Sequence, residues 1–118
     1  MRLTQTYTQL PEAFYAKTQP TPVVDPSFIA INDSLINALG MDRAWFDSEQ
    51  ALAVLSGQTT LNNTTPIAQA YAGHQFGHWV PILGDGRALL LGEHTDPSGI
   101  RWDIQLKGAG PTPFSRNG

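Results

Sequence analysis

A short run in the second half of the chain has the residue types to hold an anion. Gly84 and Gly86 flank Asp85, and Arg87 follows at once. Glycines let backbone N–H groups come close to a ligand, and successive N–H groups in a turn form an anion-binding nest. Arg87 adds a planar fork that matches phosphate oxygens, and Lys107, ending a later alternating segment, adds a point charge. The competing reading of the same run is an ordinary hairpin turn, because Asp-Gly is a common hairpin signal. His74 and His78 are spaced as two metal ligands on one helix face would be. Gln75 stands where a zincin-type motif needs Glu, however, and Gly73 and Gly77 disfavour a helix. Buried imidazoles bonded to backbone are expected instead. His94 has no evident partner. Asp85, Glu93 and Asp103 could pair as acid and base, but no spacing enforces it, and solvated strand or turn positions are expected. Thr112 and Ser115 lack an activating base nearby in sequence. Arg116 fits a phosphate contact and a solvated surface position equally well.

The elements that must position these residues are partly legible. The stretches 18–22 and 25–26 carry prolines that break regular structure. Phe28, Ile31, Leu35, Ile36 and Leu39 recur at helical spacing, and Gly40 is suited to stop that helix. A second, weaker helix is expected within 42–55, with Trp45 and Phe46 packing into the core. A polar loop is expected over 56–65, and a short helical or extended piece over 66–71. Residues 79–83 read as a strand that Pro81 demotes to an edge strand or to one with an unpaired N–H. Residues 88–92 read as a buried strand. Over 100–107, Ile100, Trp102, Ile104 and Leu106 alternate with Arg101, Asp103, Gln105 and Lys107, the cleanest strand pattern in the chain. Together these predict a three-strand meander whose first turn is Gly84-Asp85-Gly86-Arg87 and whose third strand ends in Lys107. That is the logic of a kinase N-lobe, although Gly-Asp-Gly is far from the GxGxxG loop of kinases. Residues 108–113 read as a flexible, turn-rich tail running to 118 with no closing element, and the chain is expected to be cut from something longer.

Composition narrows the classes. With 118 residues there is room for one domain, which buries roughly two-thirds of its unfolded surface. Charged residues are only 14%, while three Trp, five Phe and three Tyr argue against disorder. There are no cysteines, which excludes disulfides, thiolate metal sites and cysteine nucleophiles. A net charge of −3 gives no pull toward nucleic acid, and no apolar run approaches the ~18 residues of a membrane span. No secretory signal is visible, so a cytoplasmic location is expected. Nine of the 11 glycines lie from Gly73 onward, and no Asp, Glu, Lys or Arg occurs between Gln50 and Gly84. This asymmetry suggests a scaffold-like first half and a site-bearing second half.

Longer motifs carry a resemblance. The segments Tyr71-Ala72-Gly73-His74-Gln75-Phe76-Gly77, Leu83-Gly84-Asp85-Gly86-Arg87-Ala88, Leu91-Gly92-Glu93, and the run from Asp103-Ile104-Gln105-Leu106-Lys107 through Gly108-Ala109-Gly110-Pro111-Thr112-Pro113-Phe114-Ser115-Arg116 resemble the selenoprotein O family. The match covers most of 66–118, and more loosely the region of Pro20-Thr21-Pro22. The resemblance implies an α+β, protein-kinase-like N-lobe: a small antiparallel sheet with helical N-terminal segments, forming a partial domain. Residues 1–65 would be a helical and irregular extension, and 66–118 the start of the lobe. It implies transfer of AMP from ATP to Ser, Thr or Tyr hydroxyls of protein substrates, with Mg2+ or Mn2+. Gly84, Gly86 and Arg87 would contact the nucleotide, and Lys107 would pair with its phosphates. The catalytic Asp, the metal-binding Asn and Asp, the helix Glu and further phosphate-binding arginines are expected beyond 118, as is an Asp-Gly-Arg segment that also touches nucleotide. This chain would thus hold half an ATP site and no catalytic residue. A nucleotide-binding pseudoenzyme or scaffold without transfer is the alternative, and a structural module without nucleotide is a third reading.

Overall fold

In the computed structural model, residues 1–116 are described; Asn117 and Gly118, the end of the expected open tail, lie outside the described residues. The strongest sequence pattern becomes the last of five strands, β5 (Arg101–Lys107). Ile104 and Leu106 turn inward, whereas Arg101, Asp103, Gln105 and Lys107 are exposed. The same apolar face continues to Ile100 and Trp102, but these lie past the core and remain exposed. β4 (Ala88–Thr95) pairs antiparallel with β5 from Ala88 opposite Lys107 to Thr95 opposite Arg101. The register shifts between Leu90 and Gly92, and this bulge interrupts the alternation. Leu89, Leu90 and Leu91 are all buried.

The hub of the sheet is β2 (Ile67–Gln75), within which the piece expected over 66–71 resolves as extended. β1 (Tyr15–Lys17) pairs with its first residues, and β4 meets it at Ile67 opposite Leu90. β3 (His78–Gly84) pairs with the second half of β2 and with no other strand among the described residues. Pro81 therefore sits on an edge, as its missing N–H requires, at the register shift opposite Tyr71 and Gly73.

The expected meander is not formed. Gly84-Asp85-Gly86-Arg87 does not reverse the chain, and β3 and β4 do not pair with each other among the described residues. Asp85 prevents the reversal by continuing the pairing of β3. Its N–H donates to the Gln69 carbonyl at 2.9 Å, and its Oδ2 accepts from the Gln69 N–H at 3.0 Å. β3 and β4 thus run one after the other along β2, with the glycine segment bulging between them. The tight hairpin is instead β2–β3, turned by Phe76 and Gly77 at φ 53° and 78°. Positive φ at both central residues is the type I′ geometry that suits the strand twist.

Helices cover one side. α1 (Asp33–Ala38) starts later than its apolar spacing suggested, because Asn32 caps it by accepting from the Leu35 N–H at 3.0 Å. Even so, Phe28, Ile31, Leu35, Ile36 and Leu39 all face one apolar cavity of about 250 Å3. The helix ends as expected at Gly40, φ 66°, with Gly40 N–H to Asn37 and Met41 N–H to Ile36, a Schellman motif. The second expected helix is split. Ser48 makes a new N-cap, accepting from Ala51 N–H at 3.1 Å, so a 3-10 turn (Arg43–Asp47) precedes α2 (Glu49–Leu55). Val54, Leu61 and Leu91 form one cluster of the core, with Met1, Leu3, Trp45, Ile104 and Leu106 packed against it. Thr4 bridges to Glu93, so the first residues also join the sheet. The result is an α+β fold with a five-stranded antiparallel sheet and few helices. Among the described residues no helix is long and apolar enough to cross a membrane.

Candidate functional site

The glycine segment is held in place by the residues that follow β5. Arg87 O accepts from the N–H groups of Gly108 and Ala109 at 2.9 and 3.0 Å. The Thr112 hydroxyl donates to Asp85 O, and the Ser115 hydroxyl donates to Gly86 O. Thr112 Oγ1 accepts from Phe114 N–H at 3.1 Å, and Ser115 Oγ from Thr112 N–H at 2.9 Å, so the tail forms its own turn. On the other side Ala109 O accepts from Thr21 N–H at 2.8 Å, and Gly110 is packed so closely on Thr21 that a Cβ there would lie 2.1 Å from its Oγ1. The segment 108–113, expected to be flexible, is in fact anchored, at Gly108 and Ala109 and again through Thr112. Thr112 and Ser115 are structural hydroxyls of this site, a role that the sequence reading, which weighed them only as nucleophiles, did not assign.

Between tail and glycine segment lies a cleft of about 410 Å3. Gly84 and Gly86 line it on one side, Pro113 to Arg116 on the other, and Gln75 and Ile82 close it from the β2–β3 hairpin. Gly84 must be glycine here, since a Cβ would lie 2.5 Å from the Phe114 ring. Gly86 and Arg87 stand outside both strand ladders, so their N–H groups are not spent on sheet pairing. Arg116 is exposed at this cleft, which makes it a candidate anion contact. Arg87 is exposed beside the same segment. Lys107 is exposed and lies opposite Ala88, next to the segment's end, but borders a separate hollow of about 210 Å3 with Gly108, Ala109, Ser56, Gly57 and Thr21. The polar face of β5 therefore does not meet the glycine segment across a cleft. β5 is laddered directly to β4 and leaves no gap there; the facing wall is the tail.

The remaining candidates separate cleanly. Asp85 is not a solvated acid, since both its backbone and its carboxylate hold Gln69, and Tyr71 Oη lies 3.5 Å from its Oδ1. Partial burial, then the Asp85 charge and that hydrogen bond, push the Tyr71 phenol above its ordinary value. Glu93 is also not solvated. It is buried, and its carboxylate accepts from the Thr6 N–H at 3.1–3.2 Å and from the Thr6 hydroxyl. Asp103 is exposed as expected. His74 and His78 are exposed on the β2–β3 hairpin rather than buried, with His74 edge-on to Trp79 at 5.2 Å. The backbone-bonded histidine is His94, whose Nε2 lies 2.6 Å from Leu39 O. Among the described residues no three His, Asp or Glu side chains converge as a metal site. Gln75 was not singled out as a binding residue by sequence reasoning; its place in the cleft follows from the hairpin.

With this geometry in hand, comparison with known proteins assigns the class. The family model described as protein adenylyltransferase SelO matches residues 1–118, and the chain belongs to that family. Among similar relatives is a protein nucleotidyltransferase YdiU of Bradyrhizobium sp. (strain ORS 278), 54% identical over 112 residues, which covers 95% of this chain and 23% of the relative. The proteins of the same name from Nitrobacter winogradskyi and Alkaliphilus metalliredigens are 55% and 52% identical over 96% and 98% of the chain. The chain thus spans 22% to 23% of the length of these relatives.

Proposed function

We propose that this chain supplies the glycine-lined part of an ATP site in a protein adenylyltransferase with a kinase-like N-lobe. The observation that carries the reading is the cleft between Gly84, Gly86 and Arg116, present in a chain of the SelO family. Gly84 makes room for the Phe114 ring that walls the cleft, and at Gly86, where nothing lies nearer than 3.7 Å to the position a Cβ would take, the backbone lets the nucleotide approach closely. Arg87 ends the glycine segment and Lys107 lies next to it, both exposed and outside the cleft's lining, and from there they would supply the charge that developing negative charge on phosphates needs. In the reaction a Ser, Thr or Tyr hydroxyl oxygen of a protein substrate bonds to the α-phosphorus. The bond from that phosphorus to the oxygen bridging toward the β-phosphate breaks, pyrophosphate leaves, and the hydroxyl proton passes to a general base. Mg2+ or Mn2+ would supply charge neutralisation at the phosphates. The described residues assemble no ligand set for it.

The test is binding in the full-length protein. ATP at about 100 times its Kd should stabilise the protein by about 2.7 kcal/mol, seen as a higher Tm. Arg87→Ala and Lys107→Ala should each bind ATP at least about tenfold more weakly, as the loss of a charge-assisted hydrogen bond does. Wild-type affinity in both variants would remove these residues from the site.

A further inference from the structure

We propose that Gln75 is a specificity-determining residue of this cleft, its side-chain oxygen accepting a hydrogen bond from the nucleoside part of the nucleotide. The proposal rests on reading the cleft as an ATP site. Gln75 ends β2, directly before the Phe76-Gly77 turn and opposite His78, so the hairpin geometry fixes where its side chain starts. It lines the cleft together with Gly84, Gly86 and Arg116. Its Oε1 is buried and has no hydrogen-bond partner among the described residues. Buried side-chain oxygens in folded proteins are almost always paired, because an unpaired one forfeits its hydration without replacement. An unpaired acceptor in the wall of a ligand cleft therefore marks where a donor arrives. The terminal torsion of glutamine is broad, so a small rotation turns the oxygen toward the cleft.

The chemistry of the neighbours narrows the donor. Arg116 offers only donors, which suit phosphate oxygens. The Asp85 carboxylate is committed to Gln69 and Tyr71. Gln75 is thus a neutral acceptor in the cleft wall, able to take a donor without repelling phosphates. ATP carries such donors only on its nucleoside: the ribose 2′ and 3′ hydroxyls and the exocyclic amine of the base.

The experiment measures equilibrium binding, without turnover, to the full-length protein. Ligands are ATP, 2′-deoxyATP, 3′-deoxyATP and inosine triphosphate, which has oxygen in place of the amine. Wild type should bind one of the three analogues about threefold to tenfold more weakly than ATP, as loss of one neutral hydrogen bond does. Gln75→Met should bind ATP more weakly by the same factor and no longer distinguish ATP from that analogue. Its ligand-free Tm should not fall, because an unpaired buried oxygen has been removed. Gln75→Ala gives the same comparison should methionine not fit. Discrimination retained in the folded variant, or unchanged ATP affinity, overturns the proposal. Equal binding of all four ligands by wild type overturns it too and leaves the ATP site standing. No nucleotide binding by wild type overturns both.

Discussion

At the residue scale, one glycine and one aspartate are fixed by what touches them. A Cβ on Gly92 would lie 2.5 Å from the Thr4 carbonyl oxygen and 2.9 Å from the Leu3 Cβ. Thr4 is held to Glu93 by backbone hydrogen bonds of 3.0 and 2.7 Å, so neither side can retreat without breaking that bridge. Gly92→Ala should cost about 1–3 kcal/mol, the range of overpacked sites. Hydrogen exchange of the Thr4 and Glu93 amides should accelerate, and unchanged exchange would contradict the packing described. Asp96 is held at about 2, below the ordinary 3.8, first by the Trp102 indole N–H and then by the Ser98 hydroxyl. A carboxyl lowered on folding stabilises the fold above its unfolded value. That contribution fades as pH falls from about 4 through 2. An NMR titration of the Asp96 carboxyl carbon should therefore centre near 2, and Trp102→Phe should move it upward.

At the element scale, local periodicity was legible and long-range pairing was not. Ile104 and Leu106 against Gln105 and Lys107 announced β5, and Gly40 announced the end of α1, because both signals lie within a few consecutive residues. Gly84-Asp85-Gly86-Arg87 misled because a turn dipeptide reports only local preference. Whether the chain reverses was decided by Gln69, which Asp85 grips with both backbone and side chain. The true hairpin was hidden because Phe is a poor residue at positive φ and Phe76 does not look like a turn. The candidate site was legible as a set of glycines and cations. The tail that walls it was not, since the bonds from Thr112 and Ser115 to Asp85 and Gly86 join segments that only folding brings together. Phe76 is 84% exposed, so little packing is lost if it is replaced. Phe76→Asn creates the favoured Asn-Gly turn and should raise stability by up to about 1 kcal/mol, read as a higher Tm. A lower Tm would show that the Phe76 side chain makes contacts elsewhere.

At the scale of the whole molecule, the chain has a radius of gyration of 15.3 Å, against about 13–14 Å for a compact domain of this length. Val24 and Ile29 are almost fully exposed, and the β2–β3 hairpin presents Trp79 and Ile82 to solvent. With 23% of a relative's length, the chain brings a glycine-lined cleft and cations but no converging metal ligands among its described residues. If the chain has the proposed share in adenylyl transfer, positioning the nucleotide, then the position of the transferred phosphorus is the decisive observable. The full-length protein, with Mg2+ or Mn2+, is incubated with a protein substrate and ATP labelled at either the α- or the γ-phosphorus. Label is expected on protein from the α-position only, and is expected to be lost in Lys107→Ala. Label from the γ-position would contradict this reading and indicate phosphoryl transfer. ATP binding without label from either position would leave a nucleotide-binding protein that transfers nothing.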